Sequence, residues 1–328
     1  MRKKTIFCSV LLLVLCSVLS CGCGNGGDSK AADKSGKSGI AGLGGKKEKK
    51  SKDSGPLRDN TPNVLIPSAD GTVTYGADLV TIDASHTDQG YVMVQYRGSN
   101  PKVKLQVASP NGITYTYLLS KGGQFETFPL AGGNGAYTLT VLENVEGDMY
   151  TIAFSQDFDA AISDEFLPFL YPNQYVNFTP ETQAVTKAKD LAGGAHSDLE
   201  VVREIYHYVI ENVTYDDAKA QSVSYGYLPT VDDTLKSGKG ICFDYAALMS
   251  SMLRSQRIPT RLEVGYAGEV YHAWISVYLT GTGWIDDIIE FDGKSWSLMD
   301  PTFAASSSSS SLKKYIGDGS NYVLKYSY

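Results

Sequence analysis

GKGICFDYAALMSSMLRS, residues 238–255, joins a Gly-Lys-Gly turn to an apolar-patterned stretch and puts Cys242 at the joint. Gly238 and Gly240 allow the chain to turn tightly and leave room beside it for another backbone. Ala246, Met249, Met252 and Leu253 recur at helical spacing, and Ile258-Pro259 must end the helix. Cys242 is therefore expected in a first helical turn. There the unpaired N–H groups and the positive end of the helix dipole favour the thiolate, the nucleophilic form of cysteine. A lone cysteine is often just a small buried hydrophobe, so the reading turns on its partners.

An activated thiol needs an imidazole in reach and a carboxylate to hold that imidazole in the right tautomer. YHAWISVYL, residues 271–279, reads as a strand with His272 near its start. In LMDPT, residues 298–302, Asp300 ends the next strand but one and Pro301 stops it. Across an antiparallel sheet Asp300 can lie beside His272. Taken singly, His272 reads as a strand-edge polar group and Asp300 as a turn residue before proline. The three together, in the order Cys, His, Asp, read as a catalytic set.

The blocks GKGICFDYAALMSSMLRSQRIPTRLEVGY, HAWISVYL and MDPT resemble the signature blocks of the transglutaminase-like superfamily. The upstream NVTYD, residues 212–216, resembles a further segment of that family, with Tyr215 as the matching aromatic. The resemblance covers residues 179–303. It implies a papain-like α+β core in which Cys242 is the nucleophile, His272 the base and Asp300 its orienting carboxylate. Tyr215 becomes a candidate to line the cleft or to help hold an oxyanion.

The pattern upstream of Cys242 agrees with such a core. TPETQAVTKAKDLA, residues 179–192, predicts a helix capped by Thr179 with Pro180 in its first position and Glu181 in its first turn. SDLEVVREIYHYVIENVTYD, residues 197–216, predicts a second helix with a capping box at Ser197 and Glu200. Its apolar stripe is Val201, Val202, Ile205 and Val209. Downstream of Cys242 the period switches to strands, ending with NYVLKYSY, residues 321–328. Helices followed by an antiparallel sheet make an α+β domain over residues 159–328.

Residues 59–158 read differently. About seven short runs such as YVMVQYRG, KVKLQVASPNG and AYTLTVLENV alternate apolar and polar residues between Gly- and Asn-rich turns. This predicts an all-β sandwich, immunoglobulin-like in outline but lacking the Cys pair and Trp of antibody domains. His86 stands alone there as a solvated loop group. The domain reads as a spacer or a binding module.

Residues 1–20 combine a basic MRKK with an apolar run too short to span a bilayer. They end in VLSC, which resembles the lipobox of bacterial lipoproteins. That likeness implies a signal peptide removed before a lipidated Cys21, with Cys23 as a second candidate, and attachment at the extracytoplasmic face of the cell membrane. Residues 21–58, rich in Gly, Ser, Lys and Asp, read as a flexible linker. Of the five cysteines, two fall in the signal peptide and two at its processing site. Cys242 has no internal partner for a disulfide or a Cys-based metal site.

The formal net charge of −7, with no basic stripe outside the linker, argues against a nucleic-acid partner. Asp286, Asp287, Glu290 and Asp292 lie between His272 and Asp300, and read as a solvated hairpin or a cation-binding cleft. None has calcium-loop spacing, so no metal and no cofactor is expected. The resulting expectation is a surface-anchored thiol enzyme acting on peptide or glutamine-type amides of extracellular proteins or cell-wall peptides. Hydrolysis is the leading outcome. Amine crosslinking, or a non-catalytic binding surface, stays open.

Overall fold

A computed structural model describes residues 55–286, 289–291, 296–298 and 322–328. The signal-peptide and lipidation readings, including Cys21 and Cys23, fall outside the described residues, as does Asp300.

Alternation of apolar residues builds the N-terminal part. Its strands are β1 (Thr74–Ala77), β2 (Val80–Asp83), β3 (Tyr91–Tyr96), β4 (Val103–Ala108), β5 (Thr114–Leu119), β6 (Phe125–Pro129), β7 (Gly135–Glu146) and β8 (Met149–Ala160). They pair into two antiparallel four-stranded sheets, ordered β1-β2-β3-β6 and β5-β4-β7-β8. Along β4, Val103, Leu105 and Val107 are buried, while Lys104 and Gln106 between them are not. Leu105 stands opposite Tyr117 on one side and Val141 on the other. The period of two thus gathers the buried side chains of both sheets into one core. Tyr96 of β3 donates to Glu143 of β7, which ties one sheet to the other. His86, read as solitary, has its Nε2 2.7 Å from Asp70 and its ring stacked on Tyr91.

The chain does not enter the first sheet at residue 59. Residues 58–63 lie along the helical part instead. Arg58 N–H donates to Ala195 O at 2.8 Å, and Asn63 N–H donates to Ser255 O at 2.8 Å. The Arg58 guanidinium also pairs with Asp198 at 2.6 Å.

The C-terminal part opens with α1 (Gln183–Ala192) and α2 (Asp198–Asn212), followed by the short β9 (Thr214–Tyr215) and α3 (Asp217–Ser222). Helix α4 (Val231–Ser237), β10 (Lys239–Gly240) and α5 (Cys242–Ser255) come next. Helix α1 starts later than Thr179 implied. Its N-cap is Thr182, and the N–H groups of Gln183 and Ala184 donate to the carboxylate of Asp232 on α4. A neighbouring helix therefore does the work that was assigned to Thr179. At α2 the expected cap holds: Glu200 N–H donates to Ser197 Oγ at 3.3 Å. The Glu200 carboxylate reaches back to the N–H of His196 rather than that of Ser197.

Strands β11 (Thr260–Ala267), β12 (Val270–Leu279), β13 (Gly283–Ile285), β14 (Ile289–Phe291), β15 (Trp296–Leu298) and β16 (Tyr322–Ser327) complete the chain. One antiparallel sheet runs β13-β12-β11-β16, and β14 pairs with β15 apart from it. Helix α5 packs on β11 and β12 and is flanked by α1, α2 and α4. Every residue from 244 to 255 is buried. Helix α5 is therefore a central helix, buried all round with Asp244 and Arg254 among its enclosed side chains, rather than the one-faced helix that the spacing suggested.

Residues 53–328 form one compact unit. Tyr115 and Tyr117 of β5 meet Tyr328 at ring distances of 5.5 and 5.6 Å. The fully buried Arg254 of α5 donates to the carbonyls of Tyr171, Thr260 and Tyr328. Burial pulls its guanidinium down to about 9, still charged at neutral pH. Among the described residues, no helix is long and apolar enough to cross a membrane.

Candidate active site

Cys242 is the first residue of α5, half-buried and free. Three local devices hold it there. Gly238, with a left-handed φ of 62°, ends α4 and returns the chain toward α5. Strand β10 pairs in parallel with β9, setting Gly240 opposite Tyr215. Tyr245, one turn into α5, donates to Val213 O at 2.7 Å.

The room expected beside Gly240 is already filled by the protein. A Cβ at that position would stand 2.7 Å from the Cβ of Asp244. Asp244 is fully buried. Its Oδ2 accepts from Ile241 N–H at 2.8 Å and from Lys219 at 2.7 Å, and its Oδ1 accepts from Tyr227 at 2.5 Å. The carboxylate thus closes the turn that presents Cys242. Burial pulls the Lys219 ammonium down, but its bonds to Asp244 and Tyr227 outweigh this and hold it above its ordinary value. The acidic residue two places after the cysteine was visible in CFD, and its position in the first turn was the signal for a cap.

His272 is the third residue of β12 and is 4 % exposed. Alternation places Tyr271 in the row of Ala273 and Ile275, and His272 in the row of Trp274 and Ser276. His272 lies near Trp274 and Tyr322, at ring distances of 6.3 and 6.4 Å. The start of β12 nevertheless shares a cleft with the start of α5, since Tyr271 and Phe243 both line it. Burial pushes the Tyr271 phenol above its ordinary value, and the negative charges of ionised Tyr326, Tyr266 and Cys242 push it the same way. Tyr215, half-buried, stands beside the turn that leads into Cys242.

A cleft of about 290 Å³ opens where α5 and β12 begin, with Phe243 and Tyr271 in its walls. A larger hollow of about 420 Å³ is lined by Arg58, His196 and Asp198 and contains none of these groups. Among the described residues, no cluster of His, Cys, Asp and Glu could hold a metal ion.

The family model of the transglutaminase-like superfamily matches residues 185–287, which include Cys242, His272 and Tyr215. Human kyphoscoliosis peptidase is 32 % identical over 129 residues, covering 35 % of this chain and 17 % of its own length. The mouse protein of the same name gives the same figures. The chain thus spans under a fifth of those relatives. A Cytophaga hutchinsonii structure described provisionally as a cysteine protease shares 16 % identity at a TM-score of 0.38, over 78 % of this chain and 74 % of that one. Red sea bream transglutaminase shares 14 % identity at a TM-score of 0.29, over 65 % and 48 %.

Proposed function

With a transglutaminase-like core over residues 185–287 as the premise, we propose that this chain is a thiol enzyme that hydrolyses peptide or glutamine-type amides through a Cys242 thioester. The observation that carries the reading is a free cysteine at the first turn of a buried helix, whose next residue, Phe243, lines a cleft.

The Cys242 thiol gives its proton to His272 and attacks the amide carbonyl carbon as the thiolate. Negative charge gathers on the carbonyl oxygen, where the unpaired N–H groups at the start of α5 are the available donors. Tyr215 is the nearby side chain assigned to assist them. The C–N bond breaks as His272 gives a proton to the departing amine, and a thioester remains. Water then loses a proton to His272 as its oxygen bonds to the acyl carbon. The C–S bond breaks, the acid leaves and the thiol is restored. Asp300 takes the orienting role by its place in the MDPT block.

Cys242→Ala should lower kcat/KM on a peptide amide by at least about 10³-fold, and His272→Ala should slow alkylation of Cys242 at neutral pH. Full turnover by Cys242→Ala would end the proposal. The mass of the product formed with an added primary amine separates hydrolysis from crosslinking.

A further inference from the structure

The cleft beside Cys242 draws its walls from both parts of the chain. Leu118 comes from β5 of the all-β part, and Tyr175 from the connection that follows that part. Tyr225 comes from the loop after α3, Phe243 from α5, Tyr271 from β12 and Tyr328 from the residue after β16. None of the residues lining it is charged. The rings interlock: Tyr175 meets Phe243 edge-on at 5.3 Å and Tyr328 at 4.6 Å, and is backed by Tyr117 of β5 at 5.3 Å. The loop that bears Tyr225 rests directly on β5, because a Cβ on Gly226 would stand 2.4 Å from Leu118 Cδ1. Tyr225 itself is 75 % exposed at the mouth.

A buried acceptor also stands on this wall. The amide nitrogen of Gln174 donates to Leu118 O at 2.6 Å and to Glu126 at 2.8 Å, which fixes the orientation of the amide. Its Oε1 is buried and has no donor among the described residues.

We propose that this cleft is the subsite for a neutral aromatic side chain of a peptide substrate, and that the all-β part supplies one of its walls. The proposal rests on the thiol-enzyme reading above and names its substrate class. A space of about 290 Å³ lies at the small end of ligand sites and takes a single large side chain rather than a folded domain. Ring-faced walls favour an aromatic guest, which can meet them edge-to-face or offset. A carboxylate or ammonium entering there would shed its water against lining side chains that carry no charge, the nearest charges being already engaged behind Tyr227 and Gln174. Phe243, the residue after Cys242, forms part of the wall that the guest would meet. The all-β part is then a determinant of specificity, not a spacer.

The test uses the full chain and a set of peptidyl acyloxymethyl ketones that differ only in the side chain presented to the cleft. The Cys242 thiolate displaces the carboxylate of each probe and forms a thioether, and the labelling rate is read by mass spectrometry. Probes bearing Phe should label at least about tenfold faster than those bearing Lys or Glu. Tyr225→Ala, at an exposed position, and Leu118→Glu, on the all-β part, should each shrink that ratio severalfold, with iodoacetamide labelling as the control for a folded, reactive thiol. Equal rates across the probes, with Cys242 still reactive, would overturn the aromatic subsite and leave the thiol enzyme standing. A ratio untouched by Leu118→Glu would overturn the role of the all-β part. If no peptidyl probe labels Cys242 and no amide is turned over, the underlying reading falls with the subsite.

Discussion

Asp244 is fully buried two residues beyond Cys242, and it accepts from the backbone that precedes that cysteine. A carboxylate can take this place because the N–H of Ile241, the Lys219 ammonium and the Tyr227 hydroxyl fill its lone pairs. Asp244→Asn keeps the shape and removes the charge, so Lys219 loses its counter-ion and one side-chain N–H must face a donor. Lys219 is 29 % exposed, and solvent softens its loss. The expected cost is about 1–3 kcal/mol, read as a lower urea midpoint; an unchanged midpoint would refute the role given to Asp244. At this scale the thiol was legible in the sequence, because a Gly-rich turn before an apolar helix leaves few other places for it. The Lys219 and Tyr227 partners were not, since the reach of a side chain on the short α3 or in the loop after it depends on how that segment folds back. Asp300 was read from its block and lies outside the described residues.

Helices and strands declare themselves through their periods, and the switch from 3.6 to 2 after Pro259 marked the boundary between α5 and the sheet. Helix ends were less legible when the cap came from another element. Ser197 caps α2 from three residues away, and that spacing was readable. Asp232 caps α1 from a separation of 49 residues, and no local pattern points to it. Asp232→Ala should therefore destabilise the protein by about 1 kcal/mol, and Thr179→Ala by clearly less. Both are measurable by equilibrium denaturation, and the reverse order would return the cap to Thr179. The all-β alternation was equally plain. The run of residues 58–63 along the helical part was not, because its bonds to Ala195 and Ser255 are made by backbone atoms that carry no sequence signal.

The molecule as a whole is held by phenols that sit in or near the seam between its parts. Burial pushes Tyr117, Tyr175 and Tyr328 well above the ordinary phenol range, and the neighbouring tyrosines add to the shift. A phenol with a raised folded value contributes stability fully below its unfolded value of about 10, and loses it as pH rises toward the folded value. Lys219, also raised, acts in the same direction. The protein should therefore lose stability steeply above about pH 10. The signals of the all-β part and of Cys242 accessibility should change together in one transition, because both parts share the ring cluster. Tyrosinate absorbance followed beside thiol alkylation checks this, and two separate steps would refute the shared core. The cleft wall was hidden in the sequence for the same reason. Its residues are scattered from β5 to β16, and 22 tyrosines offer no hint of which ones meet.

Arg254 waits for Tyr328. One of the three carbonyls that satisfy its buried guanidinium belongs to a residue synthesised long after α5. Until that segment is made, the Arg254 guanidinium lacks one of its three carbonyl acceptors, and water must stand in for it. Order of translation becomes order of assembly: Cys242 is made well before its surroundings are finished, and any product truncated ahead of Tyr322 would present to the cell's quality control an incomplete seam, not a smaller finished fold.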